Sequence, residues 1–244
     1  MAKRVELFIP CFIDQLYPET AFNTVKLLER AGCMVEYNPH QTCCGQPAYN
    51  AGFWDEAKKV GKSFLNNFSE ENYIVSPSAS CTGMIRNGYN DLFTNSAEHN
   101  KCRSIQRNIF EISDFLVNVL QKEYFGAELV GTAVYHDSCS ALRECHIKEE
   151  PRRLLANVGG LELLAMKDQE TCCGFGGTFA VKFDGISSAM TEQKVRNAQE
   201  VNADYIISTD ASCLLQLQAY IDKHQIPIKT MHLVDVLTTG WANI

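Results

Sequence analysis

The 244-residue chain has no stretch approaching the ~20 apolar residues that a membrane-spanning helix requires. It also lacks an excess of positive charge: 22 Lys and Arg stand against 29 Asp and Glu, a net charge of −7. An acidic surface repels phosphate backbones and anionic lipid, so general nucleic-acid binding is excluded. There is no Gly-x-Ser-x-Gly elbow and no Walker loop. The Gly174–Gly177 run lacks the Gly-x-Gly-x-x-Gly spacing and the following acidic residue of a dinucleotide loop. Tryptophan is scarce: Trp54 and Trp241 are read as packing or partner surface, and Lys182 and Lys194 belong to no motif. The opening segment has two basic residues and then VELFIPCFI, interrupted by Glu6 and Pro10, with no small-residue cleavage site. It reads as a first strand and not as a signal peptide, so the expected compartment is a reducing cytoplasm.

Cysteine is what the chain has in excess. Eleven cysteines in a chain that is 45% hydrophobic and 21% charged are not needed to staple the fold. In a reducing compartment they point to metal ligation or redox chemistry. Eight of them repeat. Gln41-Thr42-Cys43-Cys44-Gly45 returns as Glu170-Thr171-Cys172-Cys173-Gly174. Tyr73 to Cys81 returns as Tyr205 to Cys213, and Phe8-Ile9-Pro10-Cys11 answers the segment ending His136-Asp137-Ser138-Cys139. The cysteine offsets are 128, 129 and 132 residues, which implies two copies of one module. We expect a first module over 1–95, a linker and connecting helix over 96–125, and a second module over 126–244.

Each copy alternates strands with helices. In the first, strands are expected at 5–9, 33–37 and 73–75. Helices are expected from Pro18 to Gly32, over 54–68 and after Cys81. In the second, strands are expected at 129–135, 161–165 and 204–207. Helices are expected from Pro151 to Gly159, over 187–201 and from about 211. The polar stretch Thr94 to Arg107 reads as linker. The pattern predicts an α/β fold of two pseudo-symmetric, Rossmann-like repeats, each a small parallel sheet flanked by helices.

Every repeated cysteine falls just after an expected strand or in the loop before a helix. The carboxyl ends of parallel strands share one edge, where ligands bind. Three loops can therefore gather Cys11, Cys43, Cys44 and Cys81 in one copy, and Cys139, Cys172, Cys173 and Cys213 in the other. Four converging thiolates repel one another unless a soft cation neutralises them, which leaves zinc and iron–sulfur clusters as candidates. Adjacent Cys-Cys suits a wide multi-iron cluster better than one tetrahedral ion, and Gly45, Gly174, Gly176 and Gly177 leave room for an anionic cluster. A thiol–disulfide enzyme is a third reading. Its adjacent-cysteine bridge would be strained and would leave Cys11 and Cys139 without a role. His136 and Asp137 are candidates for hydrogen bonding to cluster sulfur or for loop capping, and His40 is a minor ligand candidate. Cys33, Cys102 and Cys145 are expected to be structural thiols.

The strings Thr42-Cys43-Cys44-Gly45-Gln46-Pro47-Ala48-Tyr49-Asn50, His136-Asp137-Ser138-Cys139 and Thr171-Cys172-Cys173-Gly174-Phe175-Gly176-Gly177-Thr178-Phe179-Ala180-Val181-Lys182 resemble the cysteine-rich CCG domain family. That family includes the B subunit of heterodisulfide reductases and the iron–sulfur subunit of glycolate oxidase. The resemblance implies an iron–sulfur electron-transfer subunit of NAD-independent oxidation of L-lactate to pyruvate. It implies two partner subunits, one carrying further iron–sulfur clusters. Where heterodisulfide reductases place a fifth cysteine, this chain has Met84 and Gln216. Four cysteines per copy match a cubane [4Fe–4S] cluster, two in all; a non-cubane form stays open.

Overall fold

The computed structural model describes residues 2–241; residues 242–244 of the expected second module lie outside the described residues. Two four-stranded parallel sheets form, with strand orders β2-β1-β3-β4 and β6-β5-β7-β8. The first contains β1 (Lys3–Leu7), β2 (Cys33–Tyr37), β3 (Tyr73–Ser76) and β4 (Ile109–Glu111). The second contains β5 (Glu128–Tyr135), β6 (Gly159–Leu164), β7 (Tyr205–Ser208) and β8 (Lys229–His232). The α/β architecture of two repeats is therefore the one the alternation predicts. Pairing is direct: Lys3 stands opposite Cys33 and Val5 opposite Tyr73, while Ala133 stands opposite both Leu163 and Tyr205.

Local chemistry explains the helices that link the strands. Pro18 sits at the start of helix Pro18–Arg30, where its missing N–H costs nothing. Thr20, Thr24, Leu27 and Leu28 form its buried stripe, and Gly32, with φ of +83°, lets the chain leave it in the left-handed region. Helix Trp54–Asn67 buries Ala57, Gly61, Phe64 and Leu65 on one face. Helix Asp184–Glu200 starts three residues before the expected 187 and buries Ser187, Thr191, Lys194, Val195, Asn197 and Ala198.

Two parts of the chain depart from the sequence reading. The polar stretch 94–107 contains most of the helix His99–Asn108, which is anchored by buried Cys102 and Ile105 one turn apart. Two apolar contacts are too few to show as periodicity. The chain then supplies β4, which pairs with β3 through Ile74 opposite Ile109. The segment expected as a linker thus completes the first sheet. Its counterpart β8, of sequence Lys-Thr-Met-His, is also short, is mostly polar, and was likewise not expected.

One central apolar cluster draws on both repeats, including Val5, Leu7, Ile13, Ala133, Tyr135, Leu233 and Val234. Two outer clusters lie beyond the sheets, one holding Cys44 and Cys81, the other Cys173 and Cys213. Polar contacts join the repeats as well. Thr20 Oγ1 and Asn23 Nδ2 donate to the Asp235 carboxylate at 2.7 and 2.9 Å. The buried Asp210 carboxylate accepts from the Ser80 amide at 3.0 Å and from the Ser138 hydroxyl.

Candidate metal centre

In both repeats three loops leave the same sheet edge, each carrying cysteine. Cys11 opens helix Cys11–Leu16 just beyond β1, and Cys139 follows β5 by four residues. Cys43-Cys44 and Cys172-Cys173 lie in the loops after β2 and β6. Cys81 and Cys213 each sit in the first turn of the helix after the third strand, Ala79–Gly83 and Ala211–Lys223. Within each quartet the thiols contact one another in a chain: Cys11 to Cys43, Cys43 to Cys44 and Cys44 to Cys81, with Cys139 to Cys172, Cys172 to Cys173 and Cys173 to Cys213 opposite. All eleven cysteines are free thiols.

The electrostatics follow from that contact. Cys43 is held well below the usual thiol range because Cys11 and Cys44 donate to its sulfur and the Gly45 amide approaches it at 3.4 Å. Cys172 is lowered in the same way by Cys139 and Cys173, with the Gly174 amide at 3.4 Å. Cys11, Cys44, Cys139 and Cys173 are all pushed up, first by donating to a neighbouring sulfur and then by burial. Without a cation each quartet favours the thiolate at Cys43 or Cys172 over those at Cys11 and Cys44, or Cys139 and Cys173; a bound soft cation would stabilise the thiolates together.

Two glycines make the cysteine turns. Gly45 has φ of +85° and Gly174 has φ of +95°. A Cβ on Gly45 would stand 3.2 Å from the Ala57 carbonyl oxygen, and one on Gly174 only 2.4 Å from that of Ser187. The contacts mark Ala57 and Ser187 as equivalent, so Phe64 and Lys194, seven residues on, are equivalent too.

The surroundings of the two quartets differ. Beside the first, Phe8 meets Phe64 edge-on at 4.8 Å, Phe64 lies 4.5 Å from Phe68, and Tyr89 donates to the Cys44 carbonyl at 3.0 Å. Beside the second, Thr191 donates to the Cys173 carbonyl at 2.8 Å, and buried Lys194 donates to the carbonyls of Asp168 and Gln169. Burial lowers the Lys194 ammonium to about 8, against the pull of nearby Cys173 and Asp137. His136 takes the place of Phe8: the His136 amide bonds the Ile207 carbonyl at 2.8 Å as the Phe8 amide bonds that of Val75 at 2.9 Å. Its ring is fully buried, lowered to about 3 by that burial, and neither nitrogen has a hydrogen-bond partner among the described residues. A His136 ring nitrogen, Cys173 Sγ and Cys213 Sγ lie within 4.8 Å of one another.

Other expected residues go elsewhere. Asp137 neither caps the loop nor turns to sulfur: its carboxylate forms a two-pronged ion pair with Arg152 at 2.7 and 2.8 Å. A guanidinium within reach satisfies a buried carboxylate better than backbone amides do. His40 is exposed. Gln216, at the fifth-cysteine position, donates to Ser187 and Thr191 at 3.1 and 3.0 Å, and Met84 lies against Gly88. Cys33, Cys102 and Cys145 are buried and join neither quartet's thiol chain. Sequence reading missed Lys194 and Arg152. The signal for Lys194 was the repeat itself, which sets it opposite Phe64 once the helices are superposed.

A family model for the cysteine-rich domain matches residues 5–86 and 133–218, spanning both quartets. The chain belongs to the cysteine-rich CCG domain family. A protein named lactate utilization protein A from Geobacillus sp. (strain WCH70) is 42% identical over 237 residues, covering 97% of this chain and 99% of the relative. A protein of the same name from Geobacillus kaustophilus (strain HTA426) is 43% identical over 235 residues, covering 96% and 98%. Lactate utilization protein A 2 from Bacillus cereus (strain Q1) is 37% identical over 238 residues, covering 97% and 98%. Among solved structures, a hypothetical protein from Helicobacter pylori matches 99% of this chain and 50% of its own with a TM-score of 0.56 and 11% identity, a likeness of fold alone.

Proposed function

We propose that this CCG protein is an iron–sulfur electron-transfer subunit of a lactate-utilization system. One observation supports the reading: in each repeat, three loops from one parallel-sheet edge bring four thiols together in a chain of contacts. Cys11, Cys43, Cys44 and Cys81 would hold one centre, and Cys139, Cys172, Cys173 and Cys213 the other. Iron–sulfur clusters supply one-electron transfer when bound at such all-thiolate sites. The chain's own groups supply the rest. The Gly45 and Gly174 amides point at sulfur, the outer apolar clusters keep water from Cys44 and Cys173, and Thr191 and Tyr89 fix the loop carbonyls. Four free thiols gathered in each repeat are the donor set that a soft metal centre takes, so the residues present fit such a group.

The relatives' names point to lactate as the source of electrons. The chain carries no flavin or nicotinamide motif, so partner proteins would oxidise the hydroxy acid and take up the electrons, one of them with further clusters. No helix among the described residues is long and apolar enough to cross a membrane. A reducing cytoplasm would keep all eleven thiols free. The test is iron and acid-labile sulfide analysis of anaerobically purified protein, with electron paramagnetic resonance after reduction. About eight irons and eight sulfides per chain support two cubane clusters. Colourless protein holding one or two zinc ions supports a zinc-stabilised scaffold instead.

A further inference from the structure

The two quartets are alike in sulfur but not in what stands behind it. Phe8 and His136 occupy one slot, the first residue past the central strand, as their matching backbone hydrogen bonds show. In the first repeat the slot holds a ring with no donor atom, packed edge-on against Phe64 and Phe68 at 4.8 and 5.8 Å. In the second it holds an imidazole that is fully buried and leaves both nitrogens without partners. Buried polar atoms are almost always satisfied, so two orphans on one ring call for a partner that the protein does not supply. The ring sits against the quartet, with one nitrogen, Cys173 Sγ and Cys213 Sγ mutually within 4.8 Å. Atoms that close, drawn from three separate elements, can share one metal. The other candidate for a fifth donor, Gln216, is committed to Ser187 and Thr191.

We propose that His136 contributes a ring nitrogen to the centre held by Cys139, Cys172, Cys173 and Cys213, making it a mixed sulfur–nitrogen site, while the centre of the first repeat is bound by sulfur alone. The proposal rests on the iron–sulfur reading above. Imidazole is neutral and adds to four thiolates instead of replacing one, so the two centres carry the same thiolate charge; the buried Lys194 ammonium beside the second makes that centre the more easily reduced of the two.

The test is pulsed electron paramagnetic resonance on anaerobically purified, reduced protein grown with ¹⁵N-histidine. Iron and sulfide are measured on the same sample. The expected result is a ¹⁵N coupling of the size that direct ligation gives, associated with the signal of higher midpoint potential. That coupling should vanish in His136→Phe, with the other signal unchanged. His136→Asn serves if the phenylalanine variant does not fold, and the labelled wild-type spectrum needs neither. Iron and sulfide at both quartets with no histidine coupling, or only the weak coupling of an N–H hydrogen bond to sulfur, overturns the proposal and leaves the iron–sulfur reading standing. Absence of iron and sulfide overturns that reading, and the proposal with it.

Discussion

The first repeat surrounds its cysteines with aromatic rings, and the second surrounds the equivalent cysteines with polar and cationic groups. Phe8, Phe64 and Tyr89 on one side answer His136, Lys194 and Thr191 on the other. The strands, the loops and the thiol contacts match across the two copies. A duplicated scaffold has thus kept the geometry that gathers sulfur while its lining has changed from apolar to charged. A buried ammonium favours any state with more negative charge nearby, and its influence is strong where water is excluded. On the electron-transfer reading proposed above, the second site would be the one that more readily accepts an electron.

That comparison can be broken most decisively at the thiols. Cys44→Ser should empty the first site and Cys173→Ser the second, each removing about half the bound iron by loss of a ligand and leaving the other repeat loaded. Loss of all the iron in either variant, measured by metal analysis, would mean that the two sites are not independent. The glycine turns come next. Gly174→Ala should destabilise the protein by about 3 kcal/mol or more, because a left-handed backbone and a carbonyl clash act together, whereas Gly45→Ala should cost about 1–2 kcal/mol. Denaturant midpoints of the two variants rank them.

Glu111 and His232 occupy equivalent places at the ends of β4 and β8, each accepting from an amide of the following helix. Burial raises Glu111 from its ordinary 4.5 to about 8, so the folded chain holds an extra proton between those values. Stability from this group is complete below about pH 4.5 and is lost as pH rises through 8. Glu111→Gln should flatten that decline, on the order of 3 kcal/mol across the window, in unfolding curves taken from pH 5 to 8.5. Lys194→Met should cost about 1–3 kcal/mol, since the Asp168 and Gln169 carbonyls lose their donor. It should also narrow the gap between the two midpoint potentials in a redox titration. The smallest effect belongs to Arg4→Ala: its ion pair with Glu36 on the exposed side of the first sheet contributes less than about 1 kcal/mol, so the midpoint should hardly move.

Much of this was legible from residues alone. Six of the eight strands stand where apolar runs of strand length lie between turn residues. The repeat offsets paired the cysteines into the groups whose thiols touch. The two edge strands escaped because Ile109–Glu111 is only three residues long and three of the four residues of Lys229–His232 are polar, so neither shows a pattern above its flanks. The polar lining escaped for another reason. Whether Lys194 or His136 faces sulfur or solvent depends on the rotation of one helix and on the first residue past one strand, and that is set by tertiary packing. Asp137 was legible as a polar neighbour of Cys139, but its partner Arg152 lies on the separate helix Glu149–Leu155, which local sequence cannot place.

The central apolar cluster is built from both copies, and β4 reaches the first sheet only from beyond residue 95. A fragment ending there would present the bare edge of β3 and an uncovered oily face to water, inviting self-association. Neither duplicate is a free-standing unit, so cutting the chain in the loop at residues 94–98 should yield two pieces that stay clasped and elute together, held by side chains that each half lends to the other.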